Sequence, residues 1–263
     1  MAITLRTQAA LRAVQARAFC YLCARPLQPR ETRNRDHVPP SALFATVDRQ
    51  PALILPTHTS CNHSRSAEDE LIGQLIGVLR GRPMAARGRR PKIASGTFPD
   101  GSLGLGVTGL AFKPIIFRWV TAFHAALYNE PLGPAGYMVF PPVAEGQVRG
   151  ARVEPVAVPE VIPHFVQELR RNRGTGTLDV IACRNGRCRY ECVWSRADDG
   201  RRICVWGLDL YGWKDLGDVE HFGTRGCVGA YWPNSGLIPS TATLGTLLDF
   251  AVPTVDPLDP FAG

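Results

Sequence analysis

Apolar residues recur at helical spacing in several stretches of the chain. Residues 4–18 interleave Leu, Ala and Val with Arg and Gln and predict a short amphipathic helix. Leu71, Ile72, Leu75, Ile76 and Leu79 hold a helical period, so a helix is predicted from a cap at Thr59 or Ser60 to about Leu79. Gly73 and Gly77 interrupt its propensity or admit a close neighbour. Ile115, Ile116, Trp119, Phe123 and Leu127 form the stripe of a helix over 114–129, which Pro114 suits as a first-turn residue. His124 on that helix reads as structural. A further helix is predicted over 163–171, ended by Gly174.

Residues 32–38 are one candidate strand, and residues 52–55, rich in Leu and Ile, are a second. Residues 177–211 read as three antiparallel strands, with tight turns at Asn185-Gly186 and Asp199-Gly200. Cys183 and Cys188 flank the first turn and face each other across it. Together with Cys192 and Cys204 they read as small buried thiols. The stretch 131–159 is Pro-rich and irregular or strand-like. Residues 81–101 mix Pro, Gly and Arg with no period and predict a linker or basic arm. The expected organisation is α+β: a unit over 1–80, a linker over 81–101, and a C-terminal α+β domain over 102–263 built around the three-stranded meander.

Charge changes this picture. Residues 1–92 hold 15 of the 30 basic side chains and 6 of the 23 acidic ones, so the net charge of +7 belongs to the N-terminal third. Nearly all of it is Arg; Lys92, Lys113 and Lys214 are the lysines. Arg grips phosphate in a fork and does not lose its charge, so a polyanionic partner is expected. No apolar run approaches a membrane span. The N-terminus lacks a secretory core and reads as a first helix rather than a transit peptide, and eight cysteines without a signal point to a reducing, cytoplasmic setting.

The chemistry concentrates between residues 20 and 62. Cys20-x-x-Cys23 and His58-x-x-Cys61 are two ligand pairs at the spacing that closes a tetrahedral structural zinc site. Between them stands Asp36-His37, followed by Pro39-Pro40, which stop the strand. A neutral imidazole can take a proton from water, and phosphodiester hydrolysis needs a divalent cation held by oxygen ligands. Asp36 offers a carboxylate and Asn62 an amide oxygen at the start of the following helix. His63 is a weaker candidate ligand. Arg33, Arg35 and Arg65, with Arg89 and Arg90 in the basic arm, are candidate phosphate contacts. Glu68, Asp69 and Glu70 read as a solvated helix face from which one carboxylate could orient a neighbour.

Residues 19–71 resemble an HNH endonuclease domain of the ββα-metal class. The matching residues are Cys20, Cys23, Asp36-His37-Val38-Pro39-Pro40, Leu55-Pro56, Cys61-Asn62, Ser66 and Glu68-Asp69-Glu70. The resemblance implies His37 as general base, Asp36 and Asn62 as ligands of a catalytic Mg²⁺ or Mn²⁺, and Cys20, Cys23, His58 and Cys61 around structural zinc. His58 stands where the family usually has Cys. It implies a DNA endonuclease, with double-stranded DNA as the first choice of substrate and restriction or antiviral defence as settings; a homodimer would supply two nicks. The family's middle Asn, which steadies the loop of the base, has no counterpart: Leu53 stands at about that position, leaving Pro39 and Pro40 to hold the loop. That departure keeps a non-cutting zinc-finger module as the alternative, and an RNA-directed nuclease as a third reading.

Overall fold

A computed structural model describes residues 1–29, 33–64, 66–79, 92–97, 101, 103–108, 112–140, 146–149, 152–155, 161–196, 200–210, 227–234, 239 and 241. The fold mixes α and β. Its strands are β1 (Thr4–Leu5), β2 (Arg33–Val38), β3 (Leu53–His58), β4 (Lys92–Thr97), β5 (Leu103–Thr108), β6 (Ala135–Phe140), β7 (Gly146–Arg149), β8 (Arg152–Pro155), β9 (Asp179–Cys183), β10 (Cys188–Arg196), β11 (Arg202–Leu210) and β12 (Cys227–Pro233). Its α-helices are α1 (Gln8–Ala13), α2 (Thr59–His63), α3 (Ser66–Leu79), α4 (Phe112–Tyr128) and α5 (Val161–Thr175).

The main sheet has six strands in the order β1-β9-β10-β11-β12-β6. The segment expected as a three-stranded meander thus sits inside a larger sheet, extended by β12 and β6 on one side and by β1 on the other. All neighbours are antiparallel except β1 with β9. Both faces are covered, so the strands are nearly continuously apolar. Tyr190, Cys192, Trp194, Cys204, Trp206 and Tyr231 face α4, and Val193, Ile203, Val205 and Ala230 face α5. The alternation is that of a pleated strand with helices on both sides. Cys183 and Cys188 are paired directly, and both are buried free thiols. Two smaller sheets follow the orders β2-β3 and β5-β4-β8-β7.

Several expectations need correction. Residues 4–18 are not one helix. β1 pairs with β9, with Val180 N–H donating to the Ile3 carbonyl at 2.8 Å, and α1 begins after Thr7, whose Oγ1 accepts from Ala10 N–H at 3.2 Å. The helix predicted over 59–79 is two helices. At the break, the hydroxyls of Ser64 and Ser66 bond back to the carbonyls of Cys61 and His63, a competition that serine offers the helical backbone. β3 extends to His58, which takes the N-cap position of α2 without capping it by its side chain. α5 runs through Gly174 to Thr175, and Gly176, in the left-handed region at φ 71°, ends it. Part of the expected linker, Lys92–Thr97, is β4.

The helix predicted over 114–129 is α4, but its burial is not a stripe: Ile115 to Tyr128 are all buried. His124 lies in this core, where its Nδ1 is 2.8 Å from the Tyr231 hydroxyl and burial pushes its pKa down to about 3. One apolar cluster joins Leu11, Leu22, Leu53 and Ile72 to Trp119, Phe123, Tyr190 and Trp206, across the boundary expected at 81–101.

Candidate metal centre and adjoining polar site

The first element of the site is a tight knuckle. Cys20 N–H donates to the Arg25 carbonyl, and Ala24 N–H to the Cys20 carbonyl, both at 2.9 Å. Ala24 adopts φ 60°, which lets the chain reverse between the two cysteines and the Phe19–Pro26 bridge. β3 brings His58 to the knuckle, and the first turn of α2 brings Cys61. The ligand atoms of Cys20, Cys23, His58 and Cys61 all lie within 4.8 Å of one another. His58 Nδ1 is 3.3 Å from Cys23 Sγ and 3.9 Å from Cys61 Sγ. A tetrahedral zinc with S and N ligands separates such atoms by about 3.6 Å, so the donor set and its spacing fit zinc.

The thiols carry the same message. Burial pushes Cys20 up to about 12. Burial also raises Cys61, and the neighbouring Cys23 adds to it. Cys23 alone comes down to about 7: burial pushes it up, but hydrogen bonds involving Arg25, Cys20 and His58 outweigh that. Thiolates gathered within 4.8 Å of one another would repel, and a divalent cation removes that penalty while drawing off the thiol protons. Among the described residues, this is the metal-type cluster of His, Cys, Asp and Glu that the fold assembles.

The second element is the β2–β3 hairpin. Asp36 pairs with Leu55 and His37 with Ile54. Asp36 and Val38 are buried, whereas Arg35 is exposed and His37 half-buried. This alternation sends the Asp36 and His37 side chains to opposite faces of the hairpin. Asp36 Oδ2 accepts a hydrogen bond from the hydroxyl of Tyr21, a residue of the knuckle itself. Burial raises the Asp36 pKa, while Tyr21 and then the Arg118 charge oppose the rise. Arg118, reaching over from α4, pairs with Asp69 and lies 3.9 Å from Glu68. Asp69 sits near 6, pushed up by burial against the pull of Arg118 and pushed further by the Asp36 charge.

His37 moves the other way. Burial lowers its pKa, the Arg184 and Arg35 charges add to the lowering, and Asp36 opposes it. A histidine so placed is neutral at neutral pH, the state a general base requires.

The remaining expected site residues are placed as follows. Asn62 lies half-buried on α2, between Cys61 and the exposed His63. Arg33 is spent locally: its guanidinium donates to the Leu27 and Gln28 carbonyls at 3.1 and 3.0 Å. Arg35 donates to Gln15 Oε1 at 2.8 Å and is exposed. Arg65, Arg89 and Arg90 lie outside the described residues. Asp69, a solvated charge by its sequence context, is part of a buried network. Tyr21 and Arg118 are members of the site that sequence reasoning misses. Tyr21 sits between two ligand cysteines, where a buried hydroxyl requires a partner, and that is a sequence signal able to flag it. Arg118 is the lone charge in an apolar helix stretch, which is a signal of the same kind.

No helix among the described residues is long and apolar enough to cross a membrane. No family model, no curated protein and no solved structure matches the chain.

Proposed function

We propose that the chain is a metal-dependent HNH-type endonuclease that hydrolyses phosphodiester bonds in DNA. The observation that carries the reading is the Cys20–Cys23–His58–Cys61 cluster, which fastens the start of α2 to the hairpin that bears Asp36 and His37. Zinc there would be structural, tying the knuckle and β3 to the start of α2 beside the apolar cluster they share with α4. His37 takes a proton from water, and the hydroxide attacks phosphorus while the P–O bond to one ester oxygen breaks; that oxygen leaves with the bonding pair and takes a proton from solvent. Asp36 and Asn62 would hold Mg²⁺ or Mn²⁺, which supplies charge stabilisation for the phosphate oxygens as the bond breaks. Consecutive strand positions project to opposite sides of the hairpin, which weighs against Asp36 and His37 serving one phosphate and towards the second reading below. Tyr21 holds the Asp36 carboxylate by its hydrogen bond, and the Arg118 charge opposes the burial-driven rise of both Asp36 and Asp69.

The N-terminal excess of Arg supports a nucleic-acid substrate. RNA as substrate uses the same site. A homodimer, which would place two such sites on a duplex, and a role in restriction or antiviral defence belong to this proposal. The second reading, a zinc module that binds nucleic acid without cutting, is favoured by Asp36 being 9% exposed and already engaged by Tyr21.

The test is plasmid nicking with Mg²⁺ or Mn²⁺ by the wild type and by His37→Ala. The expected result is nicking that the variant loses by at least about 10²-fold while it keeps zinc and fold. Full cleavage by His37→Ala removes His37 as base; no cleavage by the wild type with any divalent ion favours the binding module.

A further inference from the structure

The chain that leaves His37 runs through Val38 into a long connection, 39–52, before returning as β3. It contains two single 3-10 turns, Ser41–Leu43 and Thr46–Asp48, and Leu53 follows it as a fully buried apolar residue rather than a polar anchor. A loop of this length next to a reacting group needs fastening.

The fastening comes from the far side of the sequence. Arg184, in the turn between β9 and β10, is 0% exposed. Its Nη2 donates to the Pro39 carbonyl at 2.6 Å and its Nη1 to the Arg49 carbonyl at 2.7 Å. Its own backbone N–H donates to the Pro51 carbonyl at 2.6 Å. Its guanidinium carbon lies 5.2 Å from the centre of the Phe44 ring. One residue therefore grips the beginning, middle and end of the loop. Arg187, from the same turn, lies 3.6 Å from Asp48 of the loop.

The backbone of this turn makes the choice of Arg more informative. Arg184 and Asn185 stand at φ 57° and 53°, and Gly186 at 76°. Asn and Gly are at ease in the left-handed region, and Arg is not. A Gly or Asn at 184 would relieve the backbone and lose all side-chain grip on the loop. The planar guanidinium carries its donors on separate nitrogens, so Nη1 and Nη2 each reach a different carbonyl in a fixed geometry.

We infer that Arg184 is a positioning residue for His37, clasping the 39–52 loop so that the strand end carrying the base stays fixed. The inference rests on the nuclease reading above for its catalytic part and on the clasp geometry alone for its structural part. It gives the β9–β10 turn a part in the site through the loop that the turn clasps.

The experiment uses full-length zinc-loaded wild type, Arg184→Met and Arg184→Lys. Two quantities are measured: kcat and KM for plasmid nicking, and backbone hydrogen exchange across 39–52. Both variants should retain zinc. Arg184→Met should lose about 10²-fold in kcat, as for a base displaced by about an ångström, with KM changed by less than about twofold. Exchange in 39–52 should quicken by about tenfold or more. Arg184→Lys keeps the charge but gathers all its donors on one nitrogen and loses the two-nitrogen reach to Pro39 and Arg49, so it should recover less than half of the loss on a logarithmic scale, and it serves if the Met protein does not fold. Normal exchange in 39–52 in either folded variant overturns the clasp, whether or not the wild type cuts. Quickened exchange with an unchanged kcat overturns the positioning role. Quickened exchange in a protein whose wild type cuts nothing supports the clasp and removes the nuclease reading instead.

Discussion

Replacing Arg118 by Met tests the electrostatics beneath the site. Arg118 is 6% exposed and its partner Asp69 18%. Removing one member of a dry buried pair costs roughly 3–5 kcal/mol, because the other charge is left without compensation. Asp69 and Glu68 keep some contact with water, so the expectation is the lower end, about 3 kcal/mol. That amounts to a loss on the order of 10² in the folded-to-unfolded ratio, and to a fall in Tm of roughly 6–12 °C for a chain of this size. The loss should also depend on pH. Burial already holds Asp69 near 6 with Arg118 in place, and without the guanidinium its pKa rises further. A carboxyl whose folded pKa exceeds its unfolded one stabilises at low pH and loses that contribution as pH climbs through the folded value. The deficit of the variant is therefore largest at pH 8 and shrinks towards pH 5. Urea unfolding of zinc-loaded wild type and variant across that range measures it. A deficit of equal size at pH 5 and pH 8 would refute the reasoning, since lost packing alone has no proton dependence. Arg118→Lys should recover part of the stability at pH 8.

Two further outcomes are expected. Stripping zinc with a chelator, or replacing Cys61 by Ser, should lower the melting temperature and expose the N-terminal segment to protease; an unaltered melting curve and digestion pattern would leave the cluster without a structural role. The rate of nicking should keep its plateau below pH 6.5 on the acid side, because burial and the Arg184 charge lower the His37 pKa; an acid limb at or above 6.5 would show that His37 is not shifted in this way.

The sequence is legible here where a residue's role depends on near neighbours. Two x-x ligand pairs predict the cluster because four donors at that spacing have few other uses. Pro114 marks the first turn of α4 because its ring fits there and nowhere deeper. β3 follows from the apolar run Leu53-Ile54-Leu55, whereas β2 has Val38 as its one apolar residue and is drawn into the hairpin by pairing with β3. What the sequence hides depends on partners far along the chain. Thr4 and Leu5 look like the start of a helix, but β9 supplies backbone partners some 175 residues later. The apolar stripe read on α4 is its core-facing side, yet the sheet and the N-terminal elements bury the remaining sides as well. Arg33 looks like a phosphate contact by charge, while the carbonyls of Leu27 and Gln28 claim it. Arg118 and Arg184 are two charges among thirty basic residues, and only three-dimensional proximity singles them out. Pro39 and Pro40 look like the whole of the restraint on the 39–52 loop, since nothing local to them advertises a residue at 184.

The parallel pairing of β1 with β9 has a consequence for how the molecule comes into being. A nascent chain displays the knuckle, Asp36, His37 and Asn62 long before β9 and its turn leave the ribosome. Until then Thr4 and Leu5 have no strand to join, and Leu11, Leu22 and Leu53 await the aromatic residues of β10 and β11. Contacts spanning so much sequence close slowly. A product truncated before residue 179 would thus carry the whole set of candidate chemical groups on an unfinished core, and assembly of the site would be among the last events of synthesis rather than the first.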